Sequence, residues 1–208
     1  MNRGKLLLMA ALTEGGAFVL ALGLTRVFHI DFDLIGSVIA GLTGNLIGGF
    51  LPVNLGVALA GAVLPLVLFI AMLSESAVSV PFVRSLRTVA VRDVRSLFAE
   101  ARLADVAAIS VVAGICEESL FRGVLQAKFG LIAASLVFGF LHFVNLAYFV
   151  FAVLMGFYLG WLFVYFKGLF VPVAVHFLYD FGALAYLLYV ARPERRDVSD
   201  HEISATGG

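Results

Sequence analysis

Gly114-Ile115-Cys116-Glu117-Glu118-Ser119-Leu120-Phe121-Arg122 sets two adjacent carboxylates and an arginine inside a long apolar stretch. By the gentlest scale, an ionisable residue at bilayer depth costs roughly 2.5–3.5 kcal/mol, so it is seldom there without a task. Two later apolar segments each carry a histidine, His142 and His176. Histidine and carboxylate on neighbouring membrane helices point to chemistry performed inside the membrane.

The surrounding composition supports that setting. Hydrophobic residues make up 62% of the chain and charged residues 13%. A soluble domain is about 45–50% apolar and about 25% charged. An integral membrane protein is expected, with one helical bundle. Twenty Phe and a formal net charge of zero argue against a nucleic-acid partner. Cys116 is the only cysteine, which excludes an internal disulfide. Its place beside Glu117 makes it a candidate nucleophile, but a free Cys usually behaves as a small buried hydrophobe.

A spanning helix needs about 20 apolar residues. The expected spans are Leu6–Phe28, Gly56–Leu73, Ala104–Lys128, Leu131–Asn145, Ala147–Phe166 and Leu169–Val190. The first resembles a signal peptide, but Glu14 interrupts it and the apolar run continues, so it reads as an uncleaved helix. The Gly-rich part from Gly36 to Gly49, with Asn45 as a capping residue, is read as re-entrant or interfacial. The GxxxG spacings Gly44/Gly48 and Gly156/Gly160 allow close helix contact. Phe82–Leu103 intersperses Arg84, Arg87, Arg92, Arg95 and Arg102 with apolar residues, as an amphipathic surface helix or a basic topogenic loop would. The fold class is therefore all-α, a polytopic bundle of about six spans plus an amphipathic interfacial helix, with seven or eight spans as the alternative. The chain divides into 1–103, a catalytic core at 104–190 and a polar, disordered tail at 191–208. Arg3, Lys5, the arginine-rich stretch and the tail are assigned to the cytoplasmic side.

Glu118 and Arg122 are four apart, share a helix face and can pair. Glu117 lies about 100° around the helix, free to face another neighbour. His176 and Asp180 are also four apart, and a carboxylate can orient an imidazole. Counted from the ends of their helices, Glu117, His142 and His176 fall at similar depth, about 12–16 Å in. The charge count puts the mouth of the site opposite the arginine-rich stretch. Two mechanisms fit. In one, Glu117 is a general base for water, His142 holds that water or shuttles a proton, and His176 donates to the oxyanion. In the other, Glu117, His142 and His176 bind Zn²⁺. No HExxH spacing accompanies them.

The ordered set Glu117-Glu118-Ser119-Leu120-Phe121-Arg122-Gly123, Phe138 to His142, and His176 to Asp180 resembles the CPBP family of intramembrane proteases. That family includes type II CAAX prenyl proteases and bacteriocin-immunity proteins. Pro172 and the stretch Gly156–Gly160 also look like the family, and the resemblance covers about Ala104–Tyr189. It implies Glu117 as catalytic base, Glu118 and Arg122 as structural supports, and His142 as partner of the active water. His176 and Asp180 would form the oxyanion side. Prenyl proteases have Asn where this chain has Asp180. An ionised Asp cannot donate to an oxyanion, so here it orients His176 or acts protonated. Relatives acting on prenylated proteins work from the cytoplasmic side.

The expected function is an intramembrane endopeptidase cutting near the terminus of a membrane-anchored protein or peptide, in a bacterial or archaeal membrane. No cofactor is firmly implied, with zinc as the alternative, and a homodimer is left open. The reading from a different class is a non-catalytic immunity or scaffold protein. A small ion-coupled carrier is the third, though no internal repeat supports it.

Overall fold

The computed structural model describes residues 1–31, 33 and 51–191. The expected re-entrant stretch, with Asn45 and the Gly44/Gly48 pair, lies outside those residues, as does the tail beyond Ala191. Among the described residues, seven α-helices of eight residues or more carry the fold: α1 (Arg3–Phe28), α2 (Leu51–Met72), α3 (Pro81–Thr88), α4 (Leu103–Glu118), α5 (Ala127–Leu141), α6 (Leu146–Phe166) and α7 (Phe170–Tyr189). A π-helical segment, Ser119–Gln126, joins α4 to α5. Ser119 Oγ donates to the carbonyl of Ile115 at 2.6 Å, the kind of back-bond that bends a helix.

Among the described residues, five helical stretches are long and apolar enough to cross a membrane. One of them, Leu103–Leu141, has 39 residues. It is not straight. Gly130 has φ 83° and ψ 169°, a region essentially restricted to glycine. The chain reverses there. The rings of Phe121 and Phe138 lie 4.8 Å apart, whereas an unbroken helix would separate them by about 25 Å. Glu117 and His142 meet across the same hairpin, and both pairs are centred on the bond between Phe129 and Gly130. The expected spans 104–128 and 131–145 are thus the two limbs of this hairpin. The second limb, 131–141, rises only about 16 Å, half of the roughly 30 Å hydrocarbon core.

Packing between α6 and the first limb explains the paired glycines. Arg122 Nη2 donates to the carbonyl of Gly156 at 3.1 Å, and Gln126 Nε2 donates to that of Gly160 at 2.9 Å. A Cβ on Gly156 would stand 3.0 Å from the Cα of Ser135, and one on Gly160 would run into Leu131 and Gln126. Two glycines four apart therefore let two polar side chains four apart reach backbone oxygens, and both side chains are buried.

At one end of the bundle the amino terminus, the arginine-rich segment and the end of α7 meet. Arg3 forms a two-pronged pair with Asp105 at 2.6 and 2.7 Å. Arg95 Nη1 donates to the carbonyl of Ala191 at 2.9 Å. This common end is the arrangement the Lys/Arg distribution predicts. The segment from Pro81 to Leu97 is helical, with α3 passing into a π-helical turn at Val89–Val94. It buries Leu86, Val89 and Ala90 and exposes Arg84 and Arg92, so it is amphipathic.

Candidate active site

The hairpin and α7 bring the sequence-predicted residues together. Glu118 is fully buried, and its Oε1 receives hydrogen bonds from Arg122 Nη1 at 2.6 Å and His176 Nδ1 at 2.8 Å. The pairing of Glu118 with Arg122 follows from their spacing. The bond to His176 does not, because it joins α4 to α7. Arg122 also lies over the Phe138 ring at 5.0 Å, a contact that favours a desolvated cation. On the other side of the imidazole, His176 Nε2 is 3.3 Å from Asp180 Oδ2. His176 is therefore held between two carboxylates.

Glu117 points away from this network, as its position around the helix predicts. Its Oε2 lies 3.5 Å from His142 Nε2, beyond a good hydrogen bond. That buried oxygen has no hydrogen-bond partner among the described residues. His142 Nδ1 donates to the carbonyl of Phe138 at 2.8 Å, and its ring stacks on Phe138 at 4.3 Å. With Nδ1–H bound to that carbonyl, neutral His142 presents a lone pair at Nε2 toward Glu117. A carboxylate oxygen and an imidazole lone pair together can accept both hydrogens of a water molecule.

Glu117, His142, His176 and Asp180 all line one small cavity of about 110 Å³. A larger apolar cavity of about 510 Å³ adjoins it and shares Glu117, Tyr148, Phe151, Tyr179 and Asp180. Its far walls include Phe82, Leu86 and Leu97 of the amphipathic segment and Leu187 near the end of α7. The cavity thus runs from the carboxylates toward the arginine-rich end. Of the two expectations for the mouth, the end opposite the arginine-rich stretch and the arginine-rich end itself, the cavity leads to the second. Glu117 lies between Leu103 and Gly130, roughly 20 Å from either, so depth alone could not decide the direction. Glu14 of α1 lines the larger cavity as well.

The geometry does not assemble the three-ligand zinc set. Among the described residues no three His, Cys, Asp or Glu side chains converge on a metal position. Both nitrogens of His176 already face carboxylates. Cys116 is buried and lines neither cavity. Tyr148 and Tyr179, which line both cavities, escaped the sequence reading. Tyr179 precedes Asp180 and Tyr148 follows the helix cap Asn145 by three, but neither spacing signals a site.

Residues 99–182 match the family model described as type II CAAX prenyl endopeptidase Rce1-like. This segment resembles that family. It contains the whole of the Glu117, His142 and His176 cluster. The uncharacterized protein YpbD of Bacillus subtilis (strain 168) is 35% identical over 89 residues. Those residues are 41% of this chain and 47% of that protein, so the alignment spans about half of the relative. No solved structure matches significantly. The matched segment leaves α1, α2 and α3 outside it, although α1 and α2 supply part of the wall of the larger cavity.

Proposed function

We propose that this protein is an intramembrane endopeptidase that hydrolyses a peptide bond near the terminus of a membrane-associated protein or peptide. The observation that carries the proposal is the pairing of Glu117 with His142 at 3.5 Å in a cavity shared with His176 and Asp180. The Rce1-like character of the segment supports the same class of activity.

Water donates one hydrogen toward Glu117 and the other toward Nε2 of His142. Glu117 removes a proton as the water oxygen attacks the carbonyl carbon, and the carbonyl π pair moves onto oxygen. Collapse of that tetrahedral species breaks the C–N bond, and the proton held by Glu117 passes to the leaving nitrogen. General-base action of this kind contributes about 10²–10⁴-fold. His176 and Asp180 line the same cavity, with Asp180 orienting the imidazole. Glu118 and Arg122 hold His176 in place. The substrate enters from the arginine-rich, cytoplasmic end, where the larger cavity leads.

The test compares termini of membrane proteins by mass spectrometry in cells carrying wild type, Glu117→Gln or His142→Ala. Termini made only by wild type are expected. Identical termini in all three, with the variants folded and expressed, would replace this reading with a non-catalytic immunity or scaffold role. Cleavage that survives chelation separates the water-and-glutamate mechanism from its zinc-dependent form.

A further inference from the structure

Hydrolysis at this cluster requires a hydrogen-bond donor for the oxyanion, and the imidazoles do not supply one. His176 Nδ1–H is bound to Glu118 and Nε2 faces Asp180. His142 Nδ1–H is bound to the Phe138 carbonyl, and Nε2 faces Glu117. Glu117 and Asp180 are acceptors when ionised. The donors left on the wall of the small cavity are the hydroxyls of Tyr148 and Tyr179. Neither hydroxyl has a hydrogen-bond partner among the described residues.

Two observations separate the tyrosines. Tyr148 stands in the first turn of α6, six residues after His142, whereas Tyr179 directly precedes Asp180 on α7. Tyr179 is also wedged edge-on against Phe69, with ring centroids 6.4 Å apart. Tyr148 sits in the first turn of α6, whose start is fixed by Asn145 Oδ1 accepting from the Tyr148 backbone N–H at 2.9 Å. Its backbone is thus anchored by a cap, and its side chain lines the small cavity together with Glu117 and Asp180.

We propose that Tyr148 is the oxyanion donor, a further catalytic residue taking the place that Asp180 cannot fill. This rests on the endopeptidase reading. As water oxygen bonds to the carbonyl carbon and the π pair moves to the carbonyl oxygen, Tyr148 O–H donates a hydrogen bond to that oxygen and keeps its proton. Asp180 orients His176 instead of donating. An uncommitted donor placed this way acts only when negative charge develops, so it raises kcat without tightening substrate binding.

The test uses the full chain in proteoliposomes with a library of quenched-fluorescent apolar peptides. Tyr148→Phe is expected to lower kcat by about 10²–10³-fold with KM within about threefold. A peptidyl phosphinate, whose anionic oxygen imitates the oxyanion, should lose about tenfold or more of its affinity in Tyr148→Phe, while the parent peptide keeps its own. The unchanged parent-peptide affinity excludes misfolding as the cause. A kcat within threefold of wild type, or the same loss at Tyr179→Phe instead, overturns the assignment to Tyr148. A wild type that cleaves nothing, or a Glu117→Gln variant that cleaves as wild type does, overturns the endopeptidase reading and this assignment with it.

Discussion

Oε1 of Glu118 accepts from Nδ1 of His176 at 2.8 Å while the same atom accepts from Arg122 at 2.6 Å. One oxygen therefore ties the floor of the site to α7. The residue whose spacing marks it as a structural partner of Arg122 also sets the orientation of a proposed site residue on another helix.

Removing that acid is predicted to damage folding before chemistry. Glu118→Ala leaves Arg122 charged, buried and without its carboxylate, and breaking a buried pair from one side costs about 3–5 kcal/mol. Unfolding in detergent should show a large loss of stability. Glu117→Gln, which breaks no such network, should unfold close to wild type. Equal stability of the two variants would contradict the division of roles between the adjacent glutamates.

Gly130→Ala is predicted to destabilise the hairpin. Its φ of 83° and ψ of 169° exclude a Cβ without strain of about 1–3 kcal/mol. Because the reversal brings Glu117 to His142, the variant should lose activity together with stability. Thermal unfolding and cleavage measured side by side will show whether the two losses track each other.

Gly160→Ala should disturb a different contact. The new methyl would collide with Leu131 and with the Gln126 side chain that donates to Gly160. Overpacking costs about 1–3 kcal/mol. A double variant, Gly160→Ala with Gln126→Ala, should recover part of that loss, which a double-mutant cycle measures.

Cys116→Ala should leave cleavage within about twofold of wild type, since the thiol lines neither cavity and acts as a small packed group. Loss of activity in this variant, with folding intact, would revive the thiol as a nucleophile.

Much of this was legible in the residues because short-range periodicity carries it. Glu118 with Arg122 and His176 with Asp180 are one helical turn apart, so their proximity follows from the helix itself. The limbs of the hairpin were visible because glycine and charge punctuate Lys128 to Leu131. What crossed between helices was less visible. No spacing links Glu118 to His176, Gln126 to Gly160, or Tyr148 to Glu117, since each depends on how separate helices dock. The direction of the cavity stays open between two ends in the sequence for the same reason. Depth along a helix is a one-dimensional measure, whereas the cavity is enclosed by α1, α2, the amphipathic segment and α7 together.

The short limb 131–141 is long enough to reach only about half-way across a hydrocarbon core, and non-helical residues follow before α6 begins at Leu146. Backbone amides and carbonyls released from a helix at that depth are tolerated only beside protein or a hydrated space. The truncated limb thus gives the membrane interior a standing demand for solvent, next to Glu117. A reaction that consumes water deep in a lipid phase is limited by delivery of that reactant. The break in the helix makes hydration of the proposed reaction centre part of how the chain folds.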